Sequence, residues 1–160
     1  MASCFYASKI ILRIIHAVFA LIAFAASAYV QSKGHVEPRI NFMVFVGVTA
    51  WLISMFYAIV SCSEGLQRTF WGAVEVGVNT VWVVFWLAAG AAYAAYAKCK
   101  PSQIDLDTPF AYCNAILASE AFAWMSFLLW VPSLALSVVD MRRGEGITGG
   151  GKRYPVGTPA

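Results

Sequence analysis

Residues 10–30 read IILRIIHAVFALIAFAASAYV, and this stretch decides the fold because it is apolar over the whole length of a membrane-spanning helix. Such a helix needs ~20 residues to cross about 30 Å of hydrocarbon. Three more apolar blocks of comparable length follow, at residues 40–60, 70–97 and 113–139. The sequence therefore predicts an all-α integral membrane protein in which four helices form an antiparallel bundle.

The composition of the 160-residue chain excludes a water-soluble globular protein. Hydrophobic residues make up 61% of the chain and charged residues only 12%, about half the fraction of ~25% that soluble domains carry. The four spans lie within residues 10–143, which leaves an N-terminal segment at residues 1–9, three short connectors and a tail at residues 144–160. None of these is long enough to bury a catalytic core. The tail is rich in glycine and proline and is expected to be disordered.

The distribution of basic residues predicts which helix ends face the cytoplasm, because cytoplasmic segments are enriched in lysine and arginine. Seven basic residues belong to the N-terminal segment, the start of the first span, the second connector and the tail, against four in the other two connectors. Both termini are therefore predicted to be cytoplasmic. The basic residues lie at helix ends rather than on one soluble face, so they indicate contact with anionic inner-leaflet lipid and no nucleic-acid partner.

A cleaved secretory signal is a rival interpretation of the N-terminus. Lys9 precedes an apolar stretch that contains small residues at positions 26–28, as a cleavage site would. A signal has an apolar core of roughly 7–15 residues, whereas this stretch is longer and contains Arg13 and His16. A retained first span is the preferred interpretation.

Four polar residues inside the predicted spans are expected to pair, because an isolated charge in the bilayer is costly. Arg13 and His16 lie near the start of the first span, and Glu75 and Asn79 near the start of the third. Spacings of three and four residues place each pair on one helix face. The sequence predicts that Arg13 neutralises Glu75, with Asn79 and His16 adding hydrogen bonds. Two alternatives remain open: Arg13 reaches lipid phosphates instead, or Glu75 and Glu120 serve a proton relay or ion site.

Small residues recur at helical spacing and predict where the helices meet, since small side chains let backbones approach closely in lipid. The same faces would also suit contacts between subunits of a homo-oligomer. The predicted packing positions are Gly47, Ser54, Gly90, Ser119, Ser126 and Ser133. Aromatic residues near span edges are expected to set the depth of the bundle in the membrane, namely Trp71, Tyr93, Tyr96 and Trp130.

The four cysteines fall into two pairs on opposite sides of the predicted membrane. Cys99 and Cys113 flank the third connector, on the extracytoplasmic side, where a disulfide would join the third and fourth spans. The alternative is two unlinked small residues at helix ends. Cys4 and Cys62 lie near the cytoplasmic face, where cysteine is a candidate for palmitoylation or simply a small residue.

No catalytic or metal-binding pattern is present in the sequence. The two histidines, His16 and His35, have no acid or cysteine at metal-ligand spacing. The glycines at residues 149–151 precede Lys152 but lack the strand and helix that a phosphate-binding loop requires. The sequence therefore predicts neither enzymatic activity nor a metal or other cofactor.

Several short motifs, taken in order, resemble one known family. They are ILRII at residues 11–15, RINFMVF at residues 39–45, Asn79 followed by the small pair at residues 89–90, and a third connector bounded by Cys99 and Cys113. Together they resemble the fungal MARVEL-domain proteins of the non-classical export protein 2 type, over about residues 9–143. Two features depart from the family pattern: the acid of the third span is displaced to Glu75, and the tail is short and less basic.

This resemblance implies a plasma-membrane tetraspan protein without catalysis. Such a protein would concentrate in furrow-like lateral domains, the eisosomes, and organise membrane rich in sphingolipid and sterol together with cortical scaffold proteins. The family resemblance also implies a link to unconventional secretion. A small transporter or channel is the alternative function, which measurements of solute flux would distinguish.

Overall fold

The computed structural model describes residues 2–34, 37–61, 72–95 and 110–142. Within these residues the chain forms four α-helices and no strand: α1 (Ala2–Ser32), α2 (Pro38–Ser61), α3 (Gly72–Ala94) and α4 (Phe110–Arg142). The prediction of an all-α, four-span bundle is confirmed. The predicted tail and the second connector lie outside the described residues.

Each helix contains a segment long and apolar enough to cross a membrane. These segments are Ile10–Ser32, Pro38–Val60, Ala73–Ala94 and Ala111–Val139. The helices α1 and α4 extend beyond the predicted spans because a helix continues through polar residues after the hydrophobic stretch ends. Helix α4 also continues through Pro132, which is exposed on its surface.

The helices pack in a ring in chain order. Helix α1 packs against α2 and α4, and α3 packs against α4 and, less extensively, against α2. Short connectors make successive helices antiparallel, so that α1 and α3 run in the same direction and lie diagonally opposite each other. Side chains that join α1 to α3 must therefore cross the centre of the bundle.

The turn between α1 and α2 shows how local sequence ends one helix and starts the next. Gly34 has a φ of 85°, a left-handed conformation in which glycine carries no steric cost. The Gly34 N–H donates to the Gln31 carbonyl over 3.0 Å and closes the last turn of α1. Pro38 then occupies the first turn of α2, where a missing N–H costs nothing.

The interior and the exterior of the bundle differ sharply in chemistry. Buried positions include small residues and two fully buried indoles, Trp86 and Trp130, and they also include most of the polar side chains of the spans. Large apolar side chains are exposed on all four helices, for example Ile59 at 66% and Leu128 at 64%. A surface of this kind is stable only in contact with lipid.

Candidate functional site

An ion pair links the first and third helices across the bundle. The Arg13 Nη2–H donates to Glu75 Oε1 over 2.8 Å, and the two side chains are 7% and 18% exposed. Both residues lie in the first turns of their membrane-spanning segments. Because α1 and α3 run in the same direction, the two side chains meet at the same depth, and each charge neutralises the other where water is scarce.

Asn79 connects this ion pair to the fourth helix. Its Oδ1 accepts from Arg13 Nη1 over 3.2 Å, and its Nδ2 donates to Ser137 Oγ over 2.7 Å and to the Ser133 carbonyl over 3.3 Å. Ser137 in turn donates to the Ser133 carbonyl. We call Arg13, Glu75, Asn79, Ser133 and Ser137 the Arg13 network. Sequence analysis named four of these five residues in advance as site or packing positions and did not foresee that Ser137 is an Asn79 partner.

Two aromatic rings enclose the Arg13 guanidinium. Its Cζ lies 4.6 Å from the centre of the Tyr57 ring on α2 and 5.4 Å from the Trp130 ring on α4. Cation–π contacts of this kind stabilise a cation most where it is desolvated. Arg13 therefore contacts residues on all three other helices, which makes it the side chain that fixes their relative positions at this depth.

His16 lies beside the Arg13 network and contacts it through Ser133. Its ring stacks on Trp130, with ring centres 4.4 Å apart and planes 3° from parallel. Its Nε2 lies 3.5 Å from Ser133 Oγ. Within the described residues the Trp130 ring contacts both the His16 ring and the Arg13 guanidinium, and no hydrogen bond joins His16 to Arg13 or Glu75.

A narrow cleft opens onto the Arg13 network. It has room for about one water molecule. Its walls are formed by α1, α3 and α4, with the side chains of Leu12, Arg13, Glu75, Ser133, Leu136 and Ser137. Glu75 lines this cleft and keeps 18% of its side chain exposed.

A second polar cluster lies toward the opposite end of the bundle. Ser27 and Ser119 share a hydrogen bond of 2.8 Å, and Ser119 Oγ also donates to the Ala23 carbonyl over 3.0 Å. The Tyr93 hydroxyl donates to Ser27 over 3.0 Å. We call Ser27, Tyr93 and Ser119 the serine–tyrosine cluster. Only Ser119 was predicted as a packing position, and Tyr93 was expected at the membrane interface.

Two of the aromatic residues that were expected to set membrane depth lie inside the bundle instead. Tyr93 and Trp130 are 3% and 0% exposed and face the interior of the bundle. Both are held there by partners on other helices, Ser27 for Tyr93 and His16 for Trp130. Trp71 and Tyr96 lie outside the described residues.

The predicted packing positions are buried, and the two glycines lie at close helix contacts. A Cβ on Gly47 would lie 2.9 Å from the Phe24 Cβ and 3.1 Å from its Cα. A Cβ on Gly90 would lie 3.1 Å from the Trp124 ring. Helices α1 and α2, and likewise α3 and α4, therefore approach so closely that only glycine fits without displacement. Four serines at the remaining positions are fully or almost fully buried: Ser54, Ser119, Ser126 and Ser133.

Comparison with known proteins identifies the family. The family model described as MARVEL, membrane-associating domain, matches residues 5–136, which include most of all four helices. The chain belongs to the MARVEL family. No curated protein and no solved structure matches it. The MARVEL match implies membrane association and the organisation of membrane domains in general, in a family that is generally not enzymatic.

The cysteines of this MARVEL chain are only partly described. Cys113, near the start of α4, is 5% exposed and takes part in a disulfide bond. Cys99 and Cys62 lie outside the described residues, as does the side chain of Cys4. The pairing of Cys99 with Cys113 and the palmitoylation of Cys4 and Cys62 stay predictions.

The described part of the MARVEL bundle contains no group of three or more His, Cys, Asp or Glu residues that would hold a metal ion. Glu120 is the other acid within the described spans and directly follows Ser119 of the serine–tyrosine cluster on α4, whereas Glu75 belongs to the Arg13 network. The polar groups of the interior hold helices together through the contacts given above, and their arrangement suits a scaffold.

Proposed function

We propose that this MARVEL protein is a non-catalytic organiser of lateral domains in the plasma membrane. The observation that carries the proposal is that the bundle holds polar side chains inside and exposes large apolar side chains outside, the reverse of a water-soluble protein. The Arg13 network and the serine–tyrosine cluster lie inside the bundle, whereas many exposed positions along the spans carry large apolar groups such as Phe45, Leu52 and Leu87. The exterior of the described spans is thus largely apolar and suited to contact with lipid, and we infer that the protein acts on the membrane through the lipids at this surface.

The lipid class proposed is the sphingolipid- and sterol-rich membrane of furrow-like domains, the eisosomes. The support is the resemblance to the fungal non-classical export protein 2 type, which also motivates the proposed link to unconventional secretion. The rigid interior agrees with this role, because cross-bundle contacts such as Arg13–Glu75 and Tyr93–Ser27 give the exterior a fixed shape. Ordered lipids pack best against such a fixed surface.

The proposed orientation has both termini in the cytoplasm, on the basis of the seven basic residues assigned to that side. This orientation places Arg142 and the tail beside anionic inner-leaflet lipid and within reach of cortical scaffold proteins. A homo-oligomer is part of the same proposal, since lateral organisers act in clusters.

Imaging of a fluorescently tagged chain in a fungal cell tests the proposal. We expect plasma-membrane patches that coincide with furrows and that disperse when sphingolipid synthesis or sterol supply is blocked. A tetraspan protein of another family, tagged in the same way, is the control for general crowding. An even distribution would contradict the furrow assignment, and retention in internal membranes would contradict the plasma-membrane assignment.

Proteoliposomes separate the organiser from the alternative, a small transporter or channel. We expect purified protein in giant vesicles with coexisting lipid phases to collect in the sphingolipid- and sterol-rich phase. The same protein should give no solute-dependent flux above that of empty vesicles. Flux that depends on the protein would support the alternative instead.

A further inference from the structure

Five polar side-chain atoms in the centre of the bundle have no hydrogen-bond partner within the described residues. All five belong to residues that are at most 9% exposed, and together they come from all four helices. The atoms are His16 Nδ1, Ser54 Oγ, Trp82 Nε1, Trp86 Nε1 and Ser126 Oγ. Buried polar atoms in proteins are bonded in the large majority of cases, so a group of five requires an explanation.

These atoms occupy a layer of the bundle about two helical turns deep. Trp82 lies 6.3 Å from Trp130 between ring centres, and Trp130 stacks on His16. Trp86 follows Trp82 by one helical turn, and Ser126 precedes Trp130 by one turn. Ser54 lies one turn before Tyr57, which contacts Arg13. The layer therefore begins beside the Arg13 network, at His16, and extends toward the serine–tyrosine cluster.

The two serines of the layer differ from other hydroxyl residues of the spans. Ser133, Ser137, Thr49 and Thr80 each donate to the carbonyl four residues earlier, the usual solution for a hydroxyl in a membrane helix. Ser54 and Ser126 make no such bond. Both residues lie in the bundle interior, where they are 0% and 1% exposed.

We propose that the centre of the bundle binds a chain of ordered water molecules, which bonds these five side chains. The chemistry favours water over other ligands. Indole N–H groups only donate, serine hydroxyls donate and accept, and the imidazole nitrogen does either according to its tautomer. A water molecule offers two donors and two acceptors and is small enough to lie among fully buried side chains. The cleft beside Glu75 lies next to one of these residues, because Ser133 lines it and Ser133 Oγ is 3.5 Å from His16 Nε2.

Nuclear magnetic resonance of the full chain in detergent micelles, labelled with 15N at tryptophan, tests this inference directly. We expect the indole protons of Trp82 and Trp86 to show rotating-frame Overhauser cross peaks to water. Trp82→Phe and Trp86→Phe assign the two signals. Absence of water cross peaks at both indoles would overturn the proposal.

Thermal unfolding of serine variants gives an independent test, because a dry layer and a hydrated layer predict changes of opposite sign in the melting temperature. A dry, unbonded hydroxyl is unfavourable, so Ser126→Ala would raise the melting temperature if the layer were dry. If water bonds the hydroxyl, Ser54→Ala and Ser126→Ala should each lower it. Ser119→Ala is the matched control, because its hydroxyl has protein partners and its removal lowers the melting temperature in either case. A rise for both Ser54→Ala and Ser126→Ala would contradict bound water.

Discussion

Arg13 on α1 and Glu75 on α3 form an ion pair of 2.8 Å although their helices lie diagonally opposite in the bundle. The long arginine side chain crosses the interior between Tyr57 and Trp130, and its other terminal nitrogen donates to Asn79. One side chain thereby joins α1 to the other three helices.

Neutralising either partner of the ion pair should destabilise the protein, because the other charge is then left uncompensated in the membrane. We expect Arg13→Gln and Glu75→Gln each to lower the free energy of unfolding by about 2–4 kcal/mol. The double variant should recover part of that loss, with a coupling energy of about 0.5–3 kcal/mol in detergent melting experiments. Arg142→Gln, at an exposed position at the end of α4, is the control and should change little. Fully additive losses would show that the two residues act independently.

Replacement of Gly47, Gly77 or Gly90 by alanine should change stability according to the space around each glycine. Gly47→Ala should destabilise the bundle by about 1–3 kcal/mol, since the new Cβ would meet the Phe24 backbone at 3.1 Å. Gly90→Ala should cost less, because the Trp124 ring can shift. Gly77→Ala meets nothing within 4 Å and should stabilise α3 by up to about 1 kcal/mol through helix propensity. Equal effects at all three positions would contradict the close α1–α2 contact.

Loss of the disulfide at Cys113 should lower stability by about 2–4 kcal/mol. If Cys99 is the partner, Cys99→Ser and Cys113→Ser should have equal effects, and the double variant should be no less stable than either. Alkylation followed by mass spectrometry, with and without reduction, identifies the linked peptides. Cys4→Ser and Cys62→Ser are the controls, and a change in the linked peptides of either variant would refute the predicted pairing.

The orientation predicts opposite protease sensitivity at two positions. A tag inserted beside Gln103, in the third connector, should be cut by external protease in intact cells. A tag at Ala160 should be protected until the membrane is opened. Cleavage at both positions without permeabilisation would indicate an odd number of spans, as removal of the first span as a signal would produce.

Truncation after Arg143 should leave insertion and folding intact, since the matched family domain ends at residue 136. It removes Lys152 and Arg153, each of which contributes about 1 kcal/mol of attraction when close to anionic lipid. We therefore expect reduced clustering in the plasma membrane at an unchanged melting temperature. A matched variant, with both basic residues replaced by glutamine in the full-length chain, separates the effect of charge from that of length. Unchanged clustering in both variants would assign sorting to the helices alone.

The sequence by itself determined the number and class of the elements. Four apolar blocks of about 20 residues or more have no stable structure in lipid other than helices, because every backbone polar group must be bonded within its own segment. The depths of Arg13 and Glu75 also followed from the sequence, since a position along a spanning helix fixes its distance from the membrane surface. Helix ends were less well predicted: α1 begins at Ala2, because hydrophobicity marks the membrane and not the limit of the helix.

Only the tertiary structure decided which buried side chains meet. Depth places Asn79 near Arg13, but the rotation of each helix about its axis selects Ser137 and the Ser133 carbonyl as the other partners of Asn79. The same rotation turns Tyr93 inward to Ser27 and stacks His16 on Trp130. Such rotations depend on close contacts like that of Gly47 with Phe24. They depend on the joint packing of four helices, and a pattern within one helix cannot specify them.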